Sequence, residues 1–241
     1  MQGTRTAEPV PIAGAAPGRQ ETVDYTEIAR KAKFDYSYGK REPSTKHIDA
    51  IQKLVEKSLR GRSDQRELVQ AAADLIYKEF RLKDVTLGLW DPHDRIYKYE
   101  VMAGMQPGIW TAMKRIQYTT EQFHDPVKYK GTILGEQTRL FLVEDEPYAE
   151  GEEDTVDRAE YLKSRRRASD QSVEGDYLDT YIFGPGKEII GWVEYAGTWS
   201  GKLPDIATIR WVEFVAAILG VAIAGSYASK NMPGRHLFAP L

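Results

Sequence analysis

The residues able to do chemistry are few and widely spaced. The chain has four histidines, His47, His93, His124 and His236. None stands four residues from another on a helix, and no His-Glu-x-x-His run occurs, so the zinc hydrolase arrangement is excluded. Asp91, His93 and Asp94 are the nearest approach to a metal set, but a hydrophilic turn needs the same residues without a metal. Gly197-Thr-Trp-Ser-Gly201-Lys202 stands where a phosphate loop would stand. It is one residue short, Leu203 replaces the Ser or Thr that reaches magnesium, and Pro204 removes a backbone donor. Cysteine is absent, which removes disulfides, thiolate ligands, cysteine nucleophiles and thiol switches together. We expect no catalytic residue, no metal and no cofactor.

Charge and aromatic rings say more. Glu144 to Asp157 carries eight acidic residues and no basic ones, without the ligand spacing of a calcium loop. Lys163, Arg165, Arg166 and Arg167 follow it closely. The two runs either pair with each other, weakly if exposed, or each faces a partner. Arg165-Arg166-Arg167-Ala168-Ser169 also has the pattern of a basophilic kinase site. The strongest hint is aromatic, since 14 Tyr and five Trp are many for 241 residues. Thr86, Trp90, Tyr99, Tyr177, Tyr181, Trp192 and Tyr195 fall on strands and are the candidates for lining a ligand pocket. The competing reading is that these rings fill the space themselves.

Those side chains need elements to hold them. Ile48, Ile51, Leu54, Val55 and Leu59 form one helical stripe after an expected cap at Ser44, with Gly61 closing the helix. Ser63 is expected to cap a second helix with the stripe Leu68, Val69, Ala72, Leu75, Ile76 and Phe80. Val85 to Trp90 alternates, with Leu87 and Leu89 opposite Thr86, Gly88 and Trp90. A turn at 91–94 returns the chain as Arg95 to Ala103, with Tyr97, Tyr99, Val101 and Ala103 expected on one face. Ile109 to Phe123 reads as partly helical, Gly131 to Gln137 as a short turn or helix, and Arg139 to Val143 as a central strand. Arg158 to Arg167 reads as a short helix. Asp176 to Phe183 and Lys187 to Tyr195 form a second hairpin around Gly184-Pro185-Gly186. A last helix starts at Pro204 or Asp205 and ends at Gly225. The expected core is Leu75, Ile76, Leu87, Leu142, Val193, Val212 and Ile218.

Two hairpins separated by a crossover, with helices at both ends, imply an α+β fold: an antiparallel sheet with terminal helices on one face and loops and short helices on the other. Residues 1–43 read as a flexible N-terminal tail or arm, 44–226 as the folded domain and 227–241 as a C-terminal tail. Within the arm, Tyr25, Phe34, Tyr36 and Tyr38 stand among basic residues as candidates for partner docking, with Arg165, Arg166, Arg167 and Phe238 elsewhere. A net charge of −3 argues against nucleic acid as a partner. The longest apolar run, Phe214 to Ala224, is shorter than a bilayer requires, and the N-terminus lacks a signal-peptide stretch, so a cytoplasmic location is expected.

Four pieces in order resemble the GAF domain family: the helix Glu67 to Phe80 with its following hairpin, the segment Gly131 to Asp145, the strand Glu188 to Tyr195 with Gly191, and Asp205 ahead of a long apolar helix. The resemblance covers roughly residues 63 to 226. It implies an antiparallel sheet of about six strands, a pocket on one face, and a role in sensing small molecules or in dimerisation. Family members that reduce methionine sulfoxide or attach a linear tetrapyrrole need cysteine, and the family's cyclic-nucleotide pattern is absent. The resemblance therefore implies a non-enzymatic regulatory module that senses a small molecule or regulates a protein partner. The alternative is an adaptor that binds a large complex through its tails and terminal helices, without a ligand.

Overall fold

The computed structural model describes residues 25–38, 43–59, 64–125, 127–145 and 152–227. The chain divides into two units, Met1–Glu42 and Pro43–Leu241. In the first, the expected arm is helical over Tyr25–Tyr38 (α1), with the Phe34 and Tyr38 rings 5.4 Å apart.

The second unit begins with α2 (Pro43–Leu59) and α3 (Gln65–Glu79). Pro43 is the first helical residue, so Ser44 lies inside the helix instead of capping it. Proline fits there because the first turn has no use for its missing N–H. Gly61 and Ser63 lie outside the described residues, and Asp64 caps α3 by accepting the Arg66 N–H at 3.2 Å. Two long strands follow, β1 (Val85–Asp91) and β2 (Ile96–Ala103). Next come α4 (Pro107–Met113), β3 (Gln117–Tyr118), α5 (Thr120–Phe123), β4 (Thr132–Ile133) and β5 (Thr138–Phe141). A 3₁₀ turn at Glu153–Thr155 precedes α6 (Arg158–Lys163), β6 (Tyr177–Phe183), β7 (Ile189–Tyr195) and α7 (Ile206–Tyr227).

The seven strands form one sheet in the order β3-β2-β1-β7-β6-β5-β4, and each neighbouring pair is antiparallel. The α+β architecture is as expected. The Gly131 to Gln137 segment, expected as a short turn or helix, contains a short strand, β4, followed by a bend at 135–137, and β5 lies next to the sheet edge and ends at Phe141. Leu142 consequently sits beyond the strand and is only half-buried, as is Ile218. The other five expected core residues are buried.

One face of the sheet carries α2, α3 and α7. Leu68, Val69, Ala72, Ala73, Leu75 and Ile76 of α3 are buried there with Leu87, Val101 and Val193 of the strands. The α7 backbone rests directly on β6, because a Cβ at Gly220 would stand 2.3 Å from the Phe183 carbonyl oxygen. Asp205 caps α7 through the Thr208 N–H at 2.8 Å, and the helix runs through Gly225 instead of stopping there. By length and composition Ile206–Gly225 would suit a membrane span. Here Val212, Val215, Ala216, Leu219 and Ile223 bury one side of it in the core. The helix also carries a buried carboxylate: Glu213 accepts from Thr138 Oγ1 at 3.0 Å and from Arg210 at 2.8 Å. Thr138 and Thr180 are 3.0 Å apart, and Thr180 is 3.1 Å from the Tyr195 hydroxyl. Tyr195 therefore belongs to the helix-covered face, opposite the ligand face proposed for it.

Strand β2 also departs from simple alternation. The pairing with β1 shifts between Leu87 and Gly88, so Val101 pairs with Leu87 but Tyr99 with Gly88. The bulge sends Val101 and Ala103 to the helical face and leaves Tyr97 and Tyr99 on the other. A strict period of two cannot register that extra residue.

Candidate functional site

The second face of the sheet holds an aromatic cluster with a cavity of about 100 Å³ beside it. Its floor is two successive rows of side chains. Tyr181, Trp192 and Gly88 pair across β6, β7 and β1, with Tyr99 of β2 after them. In the neighbouring row, Arg139, Asp179, Glu194 and Thr86 are partners across β5, β6, β7 and β1. The side chains of each row share a face because strand residues alternate and antiparallel partners point the same way.

Short elements raise the walls. Met113 of α4, Tyr118 of β3 and Phe123 of α5 close one side. Thr119 holds α5 in a capping box with Gln122, which fixes the direction in which Phe123 enters. The Phe123 ring lies 4.9 Å from Trp192 and stacks on Tyr97 at 4.1 Å. Thr155, which ends the 3₁₀ turn, and Val156 after it, with Val173 to Asp176, form the other side.

Arg166 pins that side in place. Its guanidinium donates to Glu144 at 2.8 Å and to both oxygens of Asp176 at 2.8 and 3.0 Å, and also bonds the Gln171 carbonyl. The Asp176 side chain is completely buried and also accepts the Val173 N–H at 2.9 Å and the Val143 N–H at 3.2 Å. Hydrogen bonds from Arg166 to Glu144 and Asp176, with the charges of both, raise the already high guanidinium pKa. Arg166 is thus a bracket for the cavity wall, not an open docking residue as its basic neighbourhood suggested. Arg165 and Arg167 are exposed, and α6 ends at Lys163, short of them.

The polar chemistry of the cavity is acidic. Asp84, Glu152, Glu174, Asp176, Asp179 and Glu194 line it, and among the described residues no Lys, Arg or His does. Glu194 accepts the Tyr99 hydroxyl at 2.7 Å. Burial pushes its carboxyl up to about 7, although hydrogen bonds from Tyr99 and Trp192 pull the other way. Burial, followed by the charge of Glu194 beside it, raises Asp179 well above the usual carboxylate range, while Arg139 opposes the shift. The Arg139 guanidinium lies over the Tyr181 ring, 5.6 Å from its centre, and forms no salt bridge with Asp179. Two buried oxygens in this row, Asp179 Oδ1 and Thr86 Oγ1, have no hydrogen-bond partner. Burial also drives the Tyr99 and Tyr118 phenols upward, so both stay protonated donors.

Four of the expected pocket residues, Tyr99, Tyr177, Tyr181 and Trp192, line the cavity. Thr86 lies in its floor row but is completely buried, and Trp90 packs into the aromatic cluster away from the opening. The rings do both things the sequence left open: Trp90 fills space, while Tyr99, Tyr177, Tyr181 and Trp192 border a void. Asp179 and Glu194 were missed. Each is the lone carboxylate of a mostly apolar and aromatic strand, a signal present in the sequence. Of the residues proposed for partner docking, Phe34, Tyr36 and Tyr38 are exposed on α1, which also contains Tyr25. Phe238 lies outside the described residues.

No protein-family model matches the chain, and no curated protein matches it in sequence. Solved structures do match in shape. A phycocyanobilin-bound GAF domain from a cyanobacterial phytochrome aligns with a TM-score of 0.52 at 10% identity, covering 77% of this chain and 98% of that one. A phycoerythrobilin-bound GAF domain, also from a cyanobacterial phytochrome, gives 0.51 at 8% identity, covering 80% and 100%. The GAF domain of an Acinetobacter phosphoenolpyruvate-protein phosphotransferase gives 0.49 at 10%, covering 77% and 97%. With its antiparallel sheet, its helices packed on one face and its cavity on the other, the chain has the GAF-like fold.

Proposed function

We propose that the protein is a non-enzymatic regulatory module that senses a small molecule in the cavity over Trp192 and Tyr181. The observation that carries this reading is the cavity itself, a void of about 100 Å³ bordered by rings and by a buried carboxylate oxygen without a partner. Apolar walls with a few converging polar groups are what a small-molecule site requires. The two bilin-bound neighbours hold their ligands in domains of this fold. The lack of cysteine here leaves no thiol for a thioether link. Native mass spectrometry of the full-length protein from its own host tests the reading. A stoichiometric small adduct supports it. No adduct, together with no compound in a metabolite panel that raises the melting temperature, overturns it.

A second reading, docking of a protein partner or a second copy, is favoured by α7. Ile206, Phe214, Ala217 and Val221 are exposed along it, Val221 at 79% and Ile206 at 74%. Their spacing of three to eight residues places an apolar stripe on the side away from the sheet. Light scattering over a range of concentrations checks this. Association that Phe214→Glu abolishes supports it, and a monomer at every concentration, with no captured partner, removes it.

A further inference from the structure

We infer that the cavity ligand is a small organic cation, an alkylammonium or amidinium group held by Asp179 and Glu194 with its carbon part against Trp192, Tyr99 and Phe123. The inference rests on the small-molecule reading above and adds the charge of the ligand.

Three observations converge on it. The first is the pairing of Asp179 with Glu194 across β6 and β7, which sets two carboxylates side by side on the cavity floor. Like charges opposite each other destabilise a sheet unless something neutralises them. The second is that, among the described residues, no basic side chain bonds the pair, so in the free protein burial makes it retain protons, which a bound cation would displace. The nearest cation in the row, Arg139, is drawn over Tyr181, Asp179 Oδ1 is buried with no donor, and no basic residue lines the cavity among the described residues. Three of the other four lining carboxylates are better provided for, and the fourth, Asp84, feels the charge of Lys83. Asp176 has Arg166, Glu152 has Lys128 at 3.5 Å, and Glu174 accepts the Asp157 N–H at 2.9 Å.

The third observation is the ring arrangement. Tyr99 stands edge-on to Trp192 at 4.9 Å, and Phe123 tilts against the same indole at the same distance. Such faces attract cations, most strongly in a site shielded from water. An ammonium carries three donors and no acceptor, which suits a floor of acceptors. An anion would meet only carboxylates there. A neutral alcohol would leave both carboxyls holding their protons and gain nothing from their charge. A metal ion is a poorer fit, because no three His, Asp or Glu side chains among the described residues converge to hold one. A cavity of about 100 Å³ takes a molecule of a few heavy atoms, as an engineered void of about 150 Å³ takes benzene.

The test uses the full-length protein with n-butylammonium, n-butanol and butyrate as size-matched probes, read by calorimetry and thermal shift. Saturable binding of butylammonium, with the other two about tenfold weaker or more, is the expected result. Asp179→Asn and Glu194→Gln should each weaken the ammonium by about tenfold or more, the scale of a lost charged hydrogen bond, and leave butanol unchanged. Two isosteric variants are used in case one fails to fold. Titration in buffers of different ionisation enthalpy should show a proton released on binding, a readout that simple cavity filling would not give. Butanol or butyrate binding as tightly as butylammonium overturns the cation and leaves the small-molecule reading standing. A host-derived adduct that is neutral or anionic does the same. No binding by any probe, with no adduct from the host, overturns both.

Discussion

A Cβ at Gly88 would stand 1.9 Å from Cη2 of Trp192, so the indole lies across β1 only because residue 88 has no side chain. The two residues are register partners, and Trp192 is almost completely buried. The ring that forms part of the cavity floor is therefore placed by a glycine on the neighbouring strand.

Gly88→Ala should force the indole off its seat. The expected cost is about 1–3 kcal/mol, the range for an overpacked core. Urea unfolding measures it, and Trp192 fluorescence should shift in the same variant. Trp192→Leu should make the second change nearly free, so the two costs should fall well short of adding.

Leu87 is the control on the opposite face, completely buried under α3. Leu87→Ala should cost about 2–5 kcal/mol with no effect on ligand binding. A cost near zero would mean the two faces of β1 have been confused.

The Arg166–Asp176 pair should behave as a unit. Removing Arg166 leaves the Asp176 carboxylate buried with only backbone donors, so Arg166→Met should destabilise by about 3–5 kcal/mol. The double variant Arg166→Met, Asp176→Asn should be less damaged than the sum of its parts. Because this pair holds the cavity wall, hydrogen exchange at Val173 to Gly175 should quicken in the single variant.

The pH dependence follows from Glu194. Its carboxyl titrates near 7 in the folded chain, against an ordinary value of 4.5. Between those values the folded state holds a proton that the unfolded state has lost. The Glu194 contribution to stability without ligand should therefore fall as pH rises from about 4.5 to about 7, and then level off. Asp179 beside it, raised in the same sense, adds to the slope, and Arg139 tempers it. Tyr99 and Trp192 hydrogen-bond Glu194, while Glu152 and Asp84 act on it through their charge. Glu194→Gln should flatten the profile, measured as urea midpoints across that range. Ligand affinity should run the opposite way, rising with pH as the carboxylates ionise.

Much of the scaffold was legible in the sequence because it rests on local periodicity. The stripe of α3, the alternation of β1 and the turn residues between the hairpin strands are each set by neighbours a few residues away. Four of the rings that border the cavity, Tyr99, Tyr177, Tyr181 and Trp192, were legible for the same reason, as aromatics at alternate strand positions, while Tyr118 and Tyr129 were not. Tertiary structure decided what depends on distant partners. The bulge opposite Gly88 parted Tyr99 from Val101. Tyr195 is not of that kind: three residues from Trp192, it falls on the helical face by alternation alone, where its hydroxyl meets Thr180. Buried Asp176, ten residues away, turned Arg166 from a surface cation into a bracket. The acidic character of the site is of this second kind. Asp179 and Glu194 are 15 residues apart, and only the register of β6 on β7 sets them side by side, where burial gives each a pKa that no local sequence rule assigns.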